Sequence, residues 1–198
     1  MTTIVVVRKQ QQVAIAADTQ STFGDTRLGN LHDAQPNKIF ESHGSLFGIC
    51  GAAAHDLVLQ SLLARTRNLD FSSRAAIFES FRKLHPKLKE DFFLKPDEDE
   101  DDPYESSQMT VLIANAHGIF GVYSMREVYE YRHFWAIGSG RDFAIGAMRA
   151  VIDQPGITAA DIARIGVETG CEFDVNSSLP YTLRTVELTN TPSSPDPT

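Results

Sequence analysis

The chain has 198 residues, enough for one domain with a sizeable core, and its 42% hydrophobic and 22% charged residues fit a globular protein better than a disordered or membrane-embedded one. The net charge of −8 disfavours nucleic acid as a partner, because phosphate recognition draws on a basic patch. Two cysteines, Cys50 and Cys171, are too few for a disulfide framework or a cysteine-rich metal site and read as free thiols.

Residues 3–8 and 13–17 are short runs rich in β-branched side chains, split by Lys9, Gln10, Gln11 and Gln12. They predict a hairpin whose turn lacks the usual Gly or Asn. A second pair of strands is predicted over 38–41 and 46–50, joined through Ser42, His43, Gly44 and Ser45. Between the pairs, 23–36 carries Gly24, Asp25, Gly29, Asn30 and Pro36 and reads as loop. Residues 52–67 set Leu57, Leu59, Leu62 and Leu63 among polar positions, which predicts an amphipathic helix. A second helix is predicted over 73–94, capped by Ser72 or Ser73, with Ile77, Phe78, Phe81, Leu84 and Leu88 on one stripe. Pro86 inside it is expected to kink or interrupt it. An unbroken acidic run follows at 97–102.

Strands return at 109–114, 119–123, 128–133 and 134–137, with Gly118 marking the tight turn between the first two. Helices are predicted over 142–152 and 158–167, the second led by Pro155 and Gly156 with Thr158 and Asp161 in capping-box positions. A last strand over 182–188 closes a single domain, 1–188, and the proline-bearing tail 189–198 is expected to be mobile. Strands and helices in separate runs fit an α+β fold better than the regular alternation of a parallel sheet. A four-layer αββα sandwich, two sheets between helix layers, would bury both strand blocks.

No apolar run approaches the roughly 20 residues that span a bilayer, and the opening has no signal-peptide pattern, so the expected location is cytoplasmic, without membrane. The six histidines form no HExxH or HxH arrangement, and 97–102 lacks the Gly and Glu of an EF-hand loop; neither metal nor cofactor is expected. The sequon Asn176, Ser177, Ser178 has no meaning in a cytoplasmic chain.

Five segments carry a resemblance: Thr2-Thr3-Ile4-Val5, Ala16-Ala17-Asp18-Thr19, Asn37-Lys38-Ile39-Phe40, Cys50-Gly51 and Ala136-Ile137-Gly138-Ser139-Gly140. In this order they resemble proteasome β-subunits, and the opening is similar to HslV-type bacterial proteases. The likeness runs to about Leu188, and the long helical middle and acidic loop bring the chain nearer to the bacterial proteasome homologues. It implies an N-terminal nucleophile hydrolase fold and a threonine peptidase whose nucleophile is Thr2, exposed once Met1 is removed. The chemistry is coherent. A threonine hydroxyl needs a nearby base, and an N-terminal threonine carries its own, an α-amino group of reference pKa about 7.7–8.0. Thr2 is also small enough to favour removal of Met1, so no propeptide is expected.

The resemblance further implies that Asp18 and Lys38 pair beside the nucleophile, that the Gly51 N–H faces the oxyanion, and that Ser139 stands by the threonine amine. It places Ser21, Ile49 and Ala53 at the substrate, which suggests a medium apolar pocket. The chain departs from its relatives in two places. The stretch between Asp18 and Lys38 is longer and contains Arg27, which cannot release a proton, so Lys38 is the better choice. Eukaryotic-type relatives place Asp and Ser near Gly166 and Thr169; Thr169 still offers a hydroxyl, whereas Gly166 offers nothing.

Such an end, uncaged, would be hazardous, so the resemblance implies homo-oligomers of two stacked rings, a tetradecamer before a dodecamer, acting on polypeptides. No P-loop motif is present, so a separate ATP-driven unfoldase would be needed for folded substrates. Two other readings stay open: a same-fold amidohydrolase of small amides, where Cys or Ser is the more usual first residue, and a catalytically silent ring scaffold.

Overall fold

The computed structural model describes residues 2–96 and 101–189. The elements in chain order are β1 (Thr3–Lys9), β2 (Gln12–Asp18), β3 (Ser21–Phe23), β4 (Thr26–Leu28), β5 (Ile39–Ser42), β6 (Ser45–Gly51), α1 (Ala54–Arg65), α2 (Arg74–Phe92), β7 (Met109–Asn115), β8 (Gly118–Val122), β9 (Val128–Tyr131), β10 (Phe134–Gly138), α3 (Arg141–Val151), α4 (Ala159–Phe173) and β11 (Tyr181–Glu187). They form one sheet in the order β10-β1-β2-β11, a second in the order β5-β6-β7-β8-β9, and a small β3-β4 hairpin.

The layering follows from strands that are apolar on both faces. Along β1, Ile4 and Val6 enter a core shared with the other sheet, while Val5 and Val7 enter a core beneath α3 and α4. Along β2, Val13, Ile15 and Ala17 point to the first of these cores, and Ala14 and Ala16 to the second. On the other sheet, Leu112 and Ala114 face the inter-sheet core, whereas Val111 and Ile113 meet Leu59, Leu62, Leu84 and Leu88 of α1 and α2. Three cores therefore separate four layers, which is the expected αββα sandwich. Period-two side-chain alternation turns a continuous apolar run into two buried faces, each large side chain contributing about 1.5–3 kcal/mol.

Several local expectations change. The first hairpin turns tightly without Gly or Asn because Gln10 itself adopts φ 54°. The second uses His43 (φ 50°) and Gly44 (φ 67°), the positive pair that matches the twist of the flanking strands. The stretch read as loop over 23–36 begins with the β3-β4 hairpin, turning at Gly24 and Asp25. Gly118 opens β8; the turn before it is Ala116 and His117, and the Asn115 side chain accepts the N–H groups of His117 (2.8 Å) and Gly118 (3.2 Å).

Helix α2 is capped by Ser73, whose hydroxyl accepts the Ala76 N–H, and it runs unbroken through Pro86. Pro86 and Arg82 lie on the exposed side, so the carbonyl that proline leaves unpaired can bond water. Ile77, Phe81, Leu84 and Leu88 are buried, but Phe78 on α2 and Leu57 on α1 are not, correcting both predicted stripes. The Thr158/Asp161 capping box is present. Helix α4 runs to Phe173, well past 167, because Gly166 and Gly170 are contact points: a Cβ on Gly166 would lie 2.8 Å from Met148, and one on Gly170 2.5 Å from Thr3. Of the acidic run, 97–100 lies outside the described residues, as does 190–198 of the tail.

Gly48 of β6 tests how closely the two sheets approach, since a Cβ there would stand 2.8 Å from Ile4. Gly48→Val should lower stability by about 1–3 kcal/mol, the usual cost of overpacking. A denaturation midpoint equal to that of the parent would contradict the inter-sheet packing.

Candidate active site

Antiparallel register gathers the site at one end of the first sheet. Ile4 pairs with Ala17 and Thr3 with Gly138, so the strand ends bring Thr2, Asp18 and Ser139 together. Lys38 enters from the residue before β5, in the second sheet. Thr2 and Asp18 are 4% and 0% exposed, and the Lys38 side chain is 17% exposed.

The Thr2 hydroxyl donates to Asp18 Oδ1 in a short contact, and Lys38 Nζ donates to Thr2 Oγ1 at 2.9 Å. The same ammonium lies 2.8 Å from Asp18 Oδ1 and 2.6 Å from the Gln20 carbonyl. The Thr3 N–H (3.0 Å) and Gln20 N–H (2.9 Å) complete the shell of the carboxylate. A buried carboxylate without partners would be prohibitively costly; here each oxygen is satisfied and the charge is neutralised by Lys38. Arg27, the other cation between Asp18 and Lys38, lies on exposed β4. The arrangement can hold a hydroxyl beside a fixed positive charge, which favours the alkoxide needed for acyl transfer.

The Gly-Ser-Gly segment is steric in origin. A Cβ on Gly138 (φ 93°) would fall 2.0 Å from the Thr2 carbonyl oxygen, and one on Gly140 2.0 Å from Thr3 Oγ1. Ser139 between them donates to Asp174 Oδ2 at 2.6 Å and lies 3.5 Å from the Thr2 carbonyl oxygen. Asp174, at the C-terminal cap of α4, also accepts from Ser177 Oγ (2.7 Å) and the Asn176 N–H (3.3 Å), and Ser177 Oγ meets Thr3 Oγ1 at 2.8 Å. Burial opposes the charge on Asp174, but hydrogen bonds from Ser139, Ser177 and Asn176 outweigh it and hold its carboxyl below the usual range.

Asp174 and Ser177 are not among the site residues that the sequence suggested. An Asp and a Ser three positions apart do join the network of Ser139, Asp174 directly and Ser177 through Asp174, but at 174 and 177, not at 166 and 169. The available signal was the Asp-x-x-Ser spacing just beyond a helix that in fact extends past 167. Gly166 packs into the core beneath α4, and Thr169 donates to the Ile165 carbonyl (2.7 Å) within its own helix, so Thr169 is not joined to this network.

Gly51 ends β6 in an exposed position beside Gln108, whose carbonyl oxygen would lie 3.0 Å from an added Cβ. Ser21 follows Gln20 and opens β3. Ile49 is half-buried against the core under α1 and α2, and Ala53 is exposed at the start of α1. Burial pushes the Cys50 thiol up, and burial with the nearby Asp18 carboxylate pushes Cys171 up to about 12, so neither competes as a thiolate. Among the described residues there is no group of three metal-ligating side chains, and no helix is long and apolar enough to cross a membrane.

No protein-family model matches the chain. Its fold is similar to that of Thiobacillus denitrificans BPH in complex with epoxomicin, at 38% identity, a TM-score of 0.89, and coverage of 95% of this chain and 100% of that one. Two ATP-dependent protease subunits HslV are also similar. That of Caldicellulosiruptor saccharolyticus is 28% identical over 84% of this chain and 88% of its own length. That of Desulfovibrio desulfuricans is 29% identical over 93% and 97%.

Removing one donor to Asp174 should expose how far hydrogen bonding sets its acidity. In Ser139→Ala or Ser177→Ala, the Asp174 carboxyl pKa should move upward. The stability that Asp174 contributes above its unfolded pKa should then be lost at a higher pH as acid is added. A carboxyl 13C titration showing no upward movement would contradict the network.

Proposed function

Because this chain belongs to the proteasome β-subunit and HslV-type family of N-terminal nucleophile hydrolases, we propose that it is a threonine-type peptidase subunit whose nucleophile is Thr2, the first residue of the mature chain. The observation that carries this reading is the Thr2 hydroxyl held between the buried Asp18 carboxylate and the Lys38 ammonium, 2.9 Å from Lys38 Nζ.

The reaction is an acyl transfer. The α-amine of Thr2 takes the hydroxyl proton as Oγ1 forms a bond to the peptide carbonyl carbon. Lys38 stabilises the oxygen as its charge develops, and Asp18 holds Lys38 in place. The carbonyl oxygen becomes an oxyanion facing the Gly51 N–H; one such donor is worth about 2.7–4 kcal/mol. Collapse breaks the C–N bond, and the α-ammonium returns its proton to the leaving amine. Water, deprotonated by the same amine, then attacks the ester and restores the hydroxyl. Ser139, fixed by Asp174, orients the backbone of Thr2. Ser21, Ile49 and Ala53 contact the polypeptide, with Ile49 giving the pocket a medium apolar character.

The subunits assemble as two stacked homo-oligomeric rings in the cytoplasm, a tetradecamer in preference to a dodecamer, which confines the nucleophiles. Two relatives carry the name of ATP-dependent protease subunits, which supports pairing with a separate ATP-driven unfoldase.

Epoxomicin, a peptide epoxyketone, tests the assignment. Intact mass should show protein without Met1 that gains one inhibitor at Thr2, while Thr2→Ala keeps the assembly and gains none. Retained Met1 with no labelling would leave a silent scaffold. Lys38→Ala should lose at least about 10²-fold in peptide hydrolysis; a rate within threefold of the parent would reject its role.

A further inference from the structure

We propose that His55 is a positioning residue for the oxyanion donor, its unprotonated Nδ1 fastening the turn that carries Gly51. The proposal rests on the reading of Gly51 given above and adds a group outside the catalytic cluster.

His55 lies in the first turn of α1 and is 8% exposed. Its backbone N–H donates to the Ala52 carbonyl at 2.9 Å, and its Nδ1 accepts the Ala52 N–H at 3.2 Å. The side-chain bond resembles the back-reach of a capping box but is made one residue before the N-cap, Ala53, to the turn that leads from Gly51 into α1. Ala52 and Ala53 have no side chain that could cap the helix, so the ring holds that end. The ring also packs directly on Gly51: a Cβ there would sit 3.0 Å from His55 Nδ1 and 3.0 Å from the Gln108 carbonyl oxygen. Gly51 is thus fixed on one side by its pairing with Met109 and on the other by His55. Without the ring, the glycine is free to rotate and re-aim its N–H.

The accepting role specifies a tautomer. Nδ1 takes the Ala52 N–H, so the proton of the neutral ring is on Nε2. A second proton would set two donors against each other. Burial lowers the pKa of His55, and no charged group contributes to the shift. Asp56, next on α1, accepts from Gln60 at 3.0 Å, and Cys50 on β6 is kept neutral by burial. Gln108, just before β7, and Met109, at its start, do not titrate. Because the folded pKa is depressed, the clamp is complete at neutral pH and is lost as pH falls through that lowered value.

Steady-state cleavage of a fluorogenic peptide by the assembled full chain tests this, with His55→Ala and His55→Asn beside the parent. Asn places Oδ1 where Nδ1 stands and accepts the same N–H without titrating. His55→Ala should lose about tenfold in kcat with KM within twofold, a fraction of what losing the whole donor costs. His55→Asn should restore kcat. The parent should show two ionisations on its acid limb, one from the Thr2 amine and one below 6.5, and His55→Asn should show only the first. Parental kcat in His55→Ala, or an unchanged second ionisation in His55→Asn, overturns the role of His55 while epoxomicin still labels Thr2. Absence of labelling in the parent overturns the underlying reading and this proposal together. If His55→Ala fails to assemble, the acid limb of His55→Asn decides alone.

Discussion

A carboxylate with no access to solvent organises this molecule. Asp18 ends β2 at the point where the strands stop, and every donor around it belongs to a different constraint on the site. The Thr2 hydroxyl and Thr3 N–H come from the chain's opening, the Gln20 N–H from the turn after β2, and the ammonium of Lys38 from the other sheet. Removing a partner from a buried ion pair typically costs about 3–5 kcal/mol, because the remaining charge is stranded. The same energy that keeps Asp18 paired keeps Lys38 against Thr2. Thr2, Lys38 and the junction of the two sheets are therefore one electrostatic unit.

Around that unit the backbones approach unusually closely, and glycine makes this possible. Gly138, Gly140 and Gly170 surround Thr2 and Thr3 on three elements, and any side chain at these positions would collide with them. The close approach lets Ser139 reach both the Thr2 carbonyl and Asp174, and lets Ser177 reach Thr3. A second polar layer thus supports the first. Its Asp174 and Ser177 sit at the C-terminal end of α4 and in the turn beyond it, while the first layer sits at strand ends, so the packing of α4 against β1 and β2 sets their separation.

The layered core supplies the rigidity that such spacing needs. Three apolar layers hold two sheets and two helix pairs, and the inter-sheet layer carries Ile39 immediately beside Lys38. A change in sheet separation would move Lys38 relative to Thr2, so a packing residue such as Gly48 is tied to chemistry at some distance. The β3-β4 hairpin occupies part of the stretch between Asp18 and Lys38.

Much of this was legible in the sequence. The β-branched runs marked the strands, Ser72 or Ser73 and Thr158 marked two helix starts, and the resemblance to proteasome β-subunits singled out Thr2, Asp18 and Lys38. The first two kinds of feature are local or follow from side-chain period; the third came from the order of short segments that the resemblance matches. Asp174 and Ser177 did not stand out, because their partners Ser139 and Thr3 lie 35 and 174 residues away. Their meeting depends on how far α4 continues. That continuation was hidden because Gly166 and Gly170 weaken a helix when judged alone, yet permit it when a neighbouring strand is close enough to replace their missing side chains. Only the packed structure could decide that balance, since it sets contact energy from distant residues against a local propensity.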